Sequence, residues 1–335
     1  MKKLLYINNY HCTTKQNPDY PNNHIWAADK LSEIFDVKCA TIPGDVIKFK
    51  MKGAGFLNNL VRSFIMLVKY FRYPIVYSAC GDYTICFALA NKLHLGKRKL
   101  FMIQHHGGKR IPFPSGYSKI LFISSFVKNL FQYDNSKNVN WGGQIEYANR
   151  FRGKSHVLEY DFTSAGKSGR DHDCMIKAIN GINAKALIVS AINNSSYDKD
   201  KITVMSGNDA CTNSTPYTFV YEMYDKSKFI VIPTVVKEGK NKYCLSGLTT
   251  FVDAVVMHKP VLASDNTNMG IDIEGLGIGM IYKAGDVEDM RNKMQQLLSL
   301  SEKDYKQMCD NMKEYSKTHN YDEFCNEIIS IIEHS

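Results

Sequence analysis

Short apolar runs alternate with longer stretches of helical spacing along almost the whole chain. Residues 3–8 and 75–79 are typical of buried strands, whereas residues 56–71 repeat apolar side chains at the spacing of one helix face. Strands that alternate with helices form parallel sheets with helices on both faces. Because the alternation occurs in two sets, the sequence predicts an α/β protein with two doubly wound, Rossmann-like parallel-sheet domains.

The two sets are separated by a polar stretch at residues 140–152, which contains a pair of glycines. The chain has 335 residues, a length that fits two domains of ordinary size. We therefore predict a first domain at residues 1–150 and a second domain at about residues 151–314. The second domain is expected to begin with a strand at residues 156–160.

Composition excludes several classes of protein. Hydrophobic residues make up 44% and charged residues 22% of the chain, which is ordinary globular usage and not that of a disordered chain or a coiled coil. No apolar run approaches the ~20 residues of a membrane-spanning helix, and the apolar part of the N-terminal segment is too short for a signal peptide. Nine cysteines without a C-x-x-C pair argue against a disulfide framework and a structural zinc site. We therefore expect reduced thiols in a cytoplasmic protein.

Positive charge is concentrated in the first half. Residues 1–150 contain 21 lysines and arginines against 8 acidic residues, whereas residues 151–335 contain 21 against 25. This asymmetry indicates an anionic membrane leaflet or a nucleic acid near the first half, unless it is only a basic solvated face. Residues 46–73 contain six cations and no acid, so we expect reversible contact with anionic lipid headgroups. Most of the apolar stripe of residues 56–71 is expected to pack on the first sheet.

A helix start in the second half has the composition of a phosphate-binding site. In open parallel sheets, ligands bind at the carboxyl ends of the strands. Gly247, Leu248 and Thr249 open a predicted helix, where free backbone N–H groups and the helix dipole favour a phosphate. Asp253 lies about one turn further along and could accept hydrogen bonds from ribose hydroxyls. Taken alone, the motif also fits an ordinary capped helix with a solvated aspartate.

A second loop in this half carries two cations. Lys167 and Arg170 lie on a glycine-containing loop between a predicted strand and a predicted helix. Two cations in such a loop can neutralise a diphosphate leaving group, although an ordinary polar loop would have the same composition. The spacing is not that of a P-loop, and no G-x-G-x-x-G follows the first strand, which argues against a Rossmann dehydrogenase.

The helix that begins near Gly247 continues into a longer motif. The matching residues, in the order and spacing E-A-x-x-x-G-K-P-V-x-A-S-D, are Asp253-Ala254, His258-Lys259-Pro260-Val261 and Ala263-Ser264-Asp265. This stretch resembles the nucleotide-sugar site of GT-B glycosyltransferases, in particular family 4. Two further runs are similar to motifs of these enzymes, namely Gly169 to Ala178 and Gly277 to Asp286. The resemblance covers about residues 155–300 well and the first half in outline.

One acidic residue of that family has no direct counterpart. The family usually carries a second acid eight residues before its ribose-binding glutamate, and Leu245 stands at that distance before Asp253. Glu238 lies fifteen residues before Asp253, so either a loop is inserted or the acidic role is lost. We retain Glu238 as a candidate catalytic residue.

The first half supplies the candidate acceptor side. His105 and His106 follow the strand predicted at residues 100–104, and related enzymes have a histidine at this strand end. A histidine there can orient hydroxyl groups or take up a proton. The candidate acceptor contacts around the loop after the first strand are Asn9, His11 and His24. The family's double glycine is absent from that loop, and no D-x-D pair stands nearby that would ligate a metal.

The resemblance implies a GT-B fold of two facing Rossmann-like domains, with a C-terminal helix at about residues 315–335 packing back on the first. It implies a hexosyltransferase of the EC 2.4 class that moves a sugar from a nucleotide-sugar to a glycan or lipid-linked acceptor. Retention of anomeric configuration, without a metal or another cofactor, is part of that implication. Lys167, Arg170 and the backbone near residues 247–249 would stabilise the leaving diphosphate.

The expected setting is bacterial surface-polysaccharide assembly, in the cytoplasm and at the inner face of the cytoplasmic membrane. The alternatives are a catalytically inactive GT-B protein that binds nucleotides and a basic nucleic-acid-binding protein. No recognised nucleic-acid-binding module is present in the sequence, so we do not expect nucleic acid as a partner.

Overall fold

The computed structural model describes residues 1–8, 12–44, 54–96, 98–105, 107, 110–155, 157–166, 169–190, 196–205, 215–236, 243 and 245–335. The chain forms two compact units. Unit 1 consists of Met1–Gln16, Asn22–Asn140 and Asp322–Ser335, and unit 2 of Asn17–Pro21 and Trp141–Tyr321. Each unit contains a six-stranded parallel sheet within the described residues, so the predicted pair of Rossmann-like sheets is confirmed. The division follows Asn140, whereas the prediction put it at residues 150 and 151.

Unit 1 has the strand order β2-β1-β3-β4-β5-β6. Its strands are β1 Lys3–Ile7, β2 Asp36–Cys39, β3 Ile75–Ser78, β4 Lys99–Gln104, β5 Lys119–Phe122 and β6 Ser136–Asn138. Its helices are α1 Ala28–Ile34, α2 Ala54–Lys69, α3 Ile85–Lys92 and α4 Ser125–Phe131. Strand β6 was not predicted, because its polar sequence Ser-Lys-Asn carries no apolar signal.

Unit 2 has the strand order β12-β11-β10-β7-β8-β9. Its strands are β7 Tyr160–Ala165, β8 Ala186–Val189, β9 Ile202–Val204, β10 Ser227–Ile232, β11 Val261–Ser264 and β12 Gly279–Tyr282. Its helices are α5 Ile145–Asn149, α6 His172–Asn180, α7 Tyr217–Asp225, α8 Leu248–Val256, α9 Val287–Leu298 and α10 Glu302–Ser316. The last helix of the chain, α11, spans Tyr321–His334.

The prediction of a strand at residues 156–160 is wrong. The structure begins strand β7 at Tyr160, and Val157 and Leu158 are 68% and 48% exposed. The apolar pair suggested a buried strand, but the strand that pairs with β8 and β10 contains the polar residues Asp161 and Thr163. Local hydrophobicity therefore misplaced an element whose position is fixed by its partners in the sheet.

Helix α11 belongs to unit 1 from Asp322 onward. Phe324 meets the ring of Trp26 edge to face, with the centroids 6.3 Å apart. Glu327 pairs with Lys137 at 2.9 Å and accepts a hydrogen bond from the backbone N–H of Asn140 at 3.3 Å. The final helix thus completes the unit that the first 140 residues began.

Residues 24–35 repeat apolar side chains at the spacing of one helix, but the structure interrupts this helix. A 3-10 turn at Asn22–Ile25 precedes α1, and Trp26 and Ala27 between them have positive φ angles of 53° and 66°. Such left-handed geometry is uncommon away from glycine. The hydroxyls of Tyr6 and Tyr77 donate to the carbonyls of Ile25 and Trp26 at 3.0 and 2.9 Å, and these bonds hold the turn.

Helix α2 packs with the opposite face from the one that we expected. Phe64, Val68 and Phe71 of the apolar stripe are 59%, 63% and 58% exposed, so the prediction that the stripe packs on the sheet is wrong. Ser63 and Met66 are buried instead. The hydroxyl of Ser63 accepts a hydrogen bond from the backbone N–H of Cys86 at 2.8 Å. That N–H lies in the first turn of α3, where no intrahelical acceptor exists, so a polar residue of α2 is needed on the inside.

Candidate functional site

The strand order of unit 2 places a topological switch point between β7 and β10. The chain proceeds from β7 toward one edge of the sheet and from β10 toward the other, so the loops after these two strands diverge. In open α/β sheets, ligands bind at such a switch point, outside the carboxyl ends of the strands. The loop after β7 contains the predicted Arg170, and the loop after β10 leads to the predicted start of α8.

Backbone hydrogen bonds join these two loops. The N–H of Asp171 donates to the carbonyl of Pro233 at 2.7 Å, and the N–H of Val235 donates to the carbonyl of Gly169 at 3.2 Å. Arg170 and Thr234 form an antiparallel bridge between them. Because both loops are joined at the carboxyl end of the sheet, the backbone carrying Arg170 is fixed relative to β10.

Arg170 is directed toward the first turn of α8. Its Nη2 donates to Oγ1 of Thr250 at 2.8 Å, and that hydroxyl donates in turn to the carbonyl of Ala165 at 3.3 Å. A Cβ atom on Gly166, which has a φ of +139°, would lie 2.9 Å from Nε of Arg170, so glycine makes room for the guanidinium. Burial lowers the pKa of Arg170, yet a guanidinium stays protonated in proteins. A cation is thus held in surroundings that strengthen its attraction for an anion.

Helix α8 begins without a side-chain cap. Its N-cap residue is Gly247, which has no side chain that could accept a hydrogen bond from the first turn. It has a φ of +97°, and a Cβ atom there would lie 2.3 Å from Cγ2 of Ile232, so only glycine fits. The positive end of the helix dipole at Leu248 and Thr249 is therefore not screened by a cap side chain, an arrangement that favours an anion.

Asp253 lies on α8 and is only 2% exposed. The hydroxyl of Tyr221 on α7 donates to its Oδ1 at 2.7 Å. Burial raises the pKa of Asp253 to about 7, although the hydrogen bond from Tyr221 favours the ionised form. Burial and the nearby Asp253 charge also raise the pKa values of Tyr217 and Tyr221. The carboxyl that we predicted to hold a ribose is thus enclosed by tyrosines in the structure, and its ribose contact stays a prediction.

Three residues of this site were missed at the sequence level. Thr250 and Tyr221 hold Arg170 and Asp253, as described. His172 begins α6, and its Nε2 lies 3.3 Å from Oγ of Ser164. Burial, and then the charge of Arg170, lower the pKa of His172 to about 4. Thr250 directly follows the predicted Thr249, and His172 lies two residues after the predicted Arg170, but nothing in the sequence pointed to Tyr221.

Part of the family-like motif has a structural role in this chain. Nζ of Lys259 is buried and donates to the carbonyls of Asp225 and Ser227 at 2.9 and 2.8 Å. His258 stands where the motif has glycine and has the left-handed φ of 56° that glycine would adopt easily. Its Nε2 lies 2.9 Å from Nη1 of Arg152. These residues fix the end of α8 rather than line the switch point.

The predicted residues of unit 1 are described only in part. His105 follows β4, and its ring lies against that of Trp26 with the centroids 5.1 Å apart. His24 is half-buried in the 3-10 turn. The remaining candidates lie outside the described residues, namely Asn9, His11, His106, Lys167 and Glu238.

No three histidine, cysteine or acidic side chains among the described residues gather as a metal site would require. Metal-independent chemistry nevertheless stays a prediction. Within the described ranges, no helix is both long and apolar enough to cross a bilayer.

Comparison with solved structures identifies the fold. The chain is similar to a glycosyltransferase from Rickettsia africae at 13% identity, over 99% of this chain and 98% of that chain, with a TM-score of 0.66. It is similar to sucrose-phosphate synthase from Thermosynechococcus elongatus at 11% identity, over 99% and 98%, with a TM-score of 0.69. It is also similar to HepE from Anabaena in complex with UDP, at 12% identity over 100% of both chains, with a TM-score of 0.63.

These similarities and the two parallel sheets show that the chain has a GT-B fold, as predicted. No protein-family model and no curated protein matches the sequence.

Proposed function

We propose that this protein is a glycosyltransferase that uses a nucleotide-sugar donor. The observation that carries the proposal is the convergence of buried Arg170 and the uncapped start of α8 at the switch point of unit 2. Both features suit a diphosphate. HepE, which has the same fold, was solved with UDP and with UDP-glucose, and this supports the same class of donor.

In the proposed reaction, the bond between the anomeric carbon and the diphosphate oxygen breaks, and an acceptor hydroxyl forms the new bond to that carbon. The acceptor proton leaves, and negative charge develops on the departing diphosphate. Arg170 and the N–H groups at the start of α8 would stabilise this charge more in the transition state than in the bound donor. Lys167 is proposed to assist them.

The finer assignments rest on the family 4 resemblance. We propose a retaining hexosyltransferase in which the departing phosphate accepts the acceptor proton, with Asp253 on the ribose. His105 or His106, and Glu238, are proposed to orient the sugar and the acceptor. The acceptor is proposed to be a glycan or lipid-linked saccharide of bacterial surface-polysaccharide assembly, modified at the cytoplasmic side of the membrane.

A thermal-shift series with UDP, GDP, ADP and CMP, each with its sugar conjugates, tests the proposal. A ligand at 100 times its dissociation constant stabilises the folded state by about 2.7 kcal/mol. We expect one nucleoside diphosphate to raise the melting temperature. No shift with any of them would contradict the proposal, and a shift without any sugar transfer or hydrolysis would favour the inactive nucleotide-binding alternative.

Arg170→Ala should weaken binding of that nucleotide by about 1.5–3 kcal/mol, the range for a hydrogen bond to a charged group. Calorimetry measures the change. Lys177→Ala is the matched control, because Lys177 is an exposed cation on α6. Equal affinities of the Arg170 and Lys177 variants would remove Arg170 from the donor site.

A further inference from the structure

Helix α2 presents an apolar face to solvent. Leu57, Phe64 and Val68 are separated by seven and four residues, a spacing that aligns them on one side of α2, and Phe71 follows in the turn directly after the helix. All four are exposed, three of them by more than half of their surface. Phe56, beside this row, is exposed to the same extent. We call these five residues the α2 face.

The α2 face is unlike the rest of its helix. Buried Ser63 and Met66 lie on the opposite side, so α2 is already anchored in unit 1 without its phenyl rings. Single exposed apolar residues are common on soluble proteins, but a contiguous row of large side chains indicates an interaction surface.

Cations border the α2 face. Lys69 and Arg72 are exposed at its C-terminal end. The guanidinium of Arg98 lies 5.6 Å from the ring centroid of Phe71, and its Nε donates to the carbonyl of Phe71 at 3.2 Å. Over the described residues 54–96 and 98–105, six lysines and arginines are accompanied by one acid, Asp82. The surface thus combines exposed phenyl rings with the adjoining cations Lys69, Arg72 and Arg98.

We propose that the α2 face docks unit 1 on an anionic lipid bilayer. Phenyl and aliphatic side chains enter the boundary between headgroups and acyl chains, while the adjoining cations contact lipid phosphates. A second copy of the chain fits this surface less well, because a two-fold contact would bring the same cations together. Docking of this kind does not depend on the transfer reaction proposed above.

The test is cosedimentation with vesicles of phosphatidylglycerol and phosphatidylcholine, compared with vesicles of phosphatidylcholine alone. We expect binding to the anionic vesicles at low salt, and release near 0.5 M salt, where the screening length falls to about 4 Å. Phe64→Gln, Val68→Gln and Phe71→Gln combined should weaken binding at least tenfold. The combined Lys69→Gln and Arg72→Gln variant should weaken vesicle binding by up to about fivefold per cation and reduce the dependence of that binding on salt.

The matched control is Val157→Gln, Leu158→Gln and Leu276→Gln combined, because these exposed apolar residues lie in unit 2. This control should bind vesicles as the wild type does. Both triple variants should keep the wild-type melting temperature and nucleotide affinity, which separates this test from that of the proposed function.

Three results would overturn the proposal. The first is equal recovery with anionic and neutral vesicles, or none with either. The second is unchanged vesicle binding by the triple α2 variant. The third is a wild-type dimer that this variant converts to a monomer, because the α2 face would then pair two copies of the chain.

Discussion

Helices α2 and α8 depart from the usual arrangement of apolar residues inside and polar residues outside, in opposite directions. Helix α2 exposes Phe64 and buries Ser63, whereas α8 buries eight of its nine residues, including Thr250 and Asp253. Neither departure favours stability, since one leaves apolar area in water and the other removes a carboxyl from water. Both occur where we propose function, and local rules are expected to fail at such sites.

The most direct test of the contrast replaces one phenylalanine in each helix. Phe251→Ala in α8 should lower the free energy of unfolding by about 3–5 kcal/mol, because its ring is buried and leaves a cavity. Phe64→Ala in α2 should change it by less than about 0.5 kcal/mol. Urea unfolding measures both values. A loss above about 2 kcal/mol for Phe64→Ala would mean that the α2 face is packed in solution.

The buried carboxyl of α8 predicts a pH-dependent difference. Burial raises the pKa of Asp253 from its ordinary value of 3.8 to about 7 in the folded protein. Between these two pH values, the carboxyl is ionised in the unfolded state but protonated in the folded state. Wild-type stability therefore falls as pH rises from about 4 to 7, and Asp253→Asn should remove this loss. The variant should gain up to about 4 kcal/mol relative to the wild type across this range, because each pKa unit corresponds to 1.36 kcal/mol.

Melting temperatures at pH 5 and pH 8 measure the effect, with the exposed Glu222→Gln on α7 as the control. Parallel pH profiles of Asp253→Asn and the wild type would show that the carboxyl is hydrated. Asp253→Asn should also weaken the nucleotide if Asp253 holds the ribose, so stability and binding would change in opposite directions.

The smallest expected effect is at the end of α8. His258→Gly should relieve about 1 kcal/mol of left-handed backbone strain at neutral pH. Loss of the contact with Arg152 should offset part of this gain in stability. Burial, and then Arg152, lower the pKa of His258 to about 4, so wild-type stability falls as pH drops from 6.5 toward 4. The gain should therefore be larger at pH 4.5 than at pH 7 in thermal melts. Lower stability of the variant at both values would mean that the Arg152 contact outweighs the strain.

Sequence periodicity predicted both sheets and most helices, because apolar spacing reports burial wherever one face of an element packs on a core. It failed for α2, where Ser63 had to face inward to serve the first turn of α3. It also failed at Trp26, whose left-handed turn depends on a tyrosine 51 residues away. Such requirements come from partners that are distant in sequence, and no local pattern encodes them.

The candidate site was predictable to a similar extent. Arg170 and Gly247 follow strands and precede helices, so their position at the carboxyl end of the sheet could be deduced. The hydrogen bond between Asp253 on α8 and Tyr221 on α7 joins residues 32 positions apart, and nothing in the sequence indicated it. The exposure of Asp253 was consequently misjudged in the simplest interpretation of the motif, that of a solvated aspartate.

The return of α11 to unit 1 has a consequence for biosynthesis. The sheet of unit 1 is complete once Asn140 has been made, but Phe324 and Glu327 follow only after the 181 residues from Trp141 to Tyr321. At about 5–20 residues per second, translation leaves the nascent unit without its last helix for roughly 10–40 s. During that interval the ring of Trp26 and the side chain of Lys137 lack the partners that α11 provides, so unit 1 reaches its final packing only after unit 2 has been synthesised.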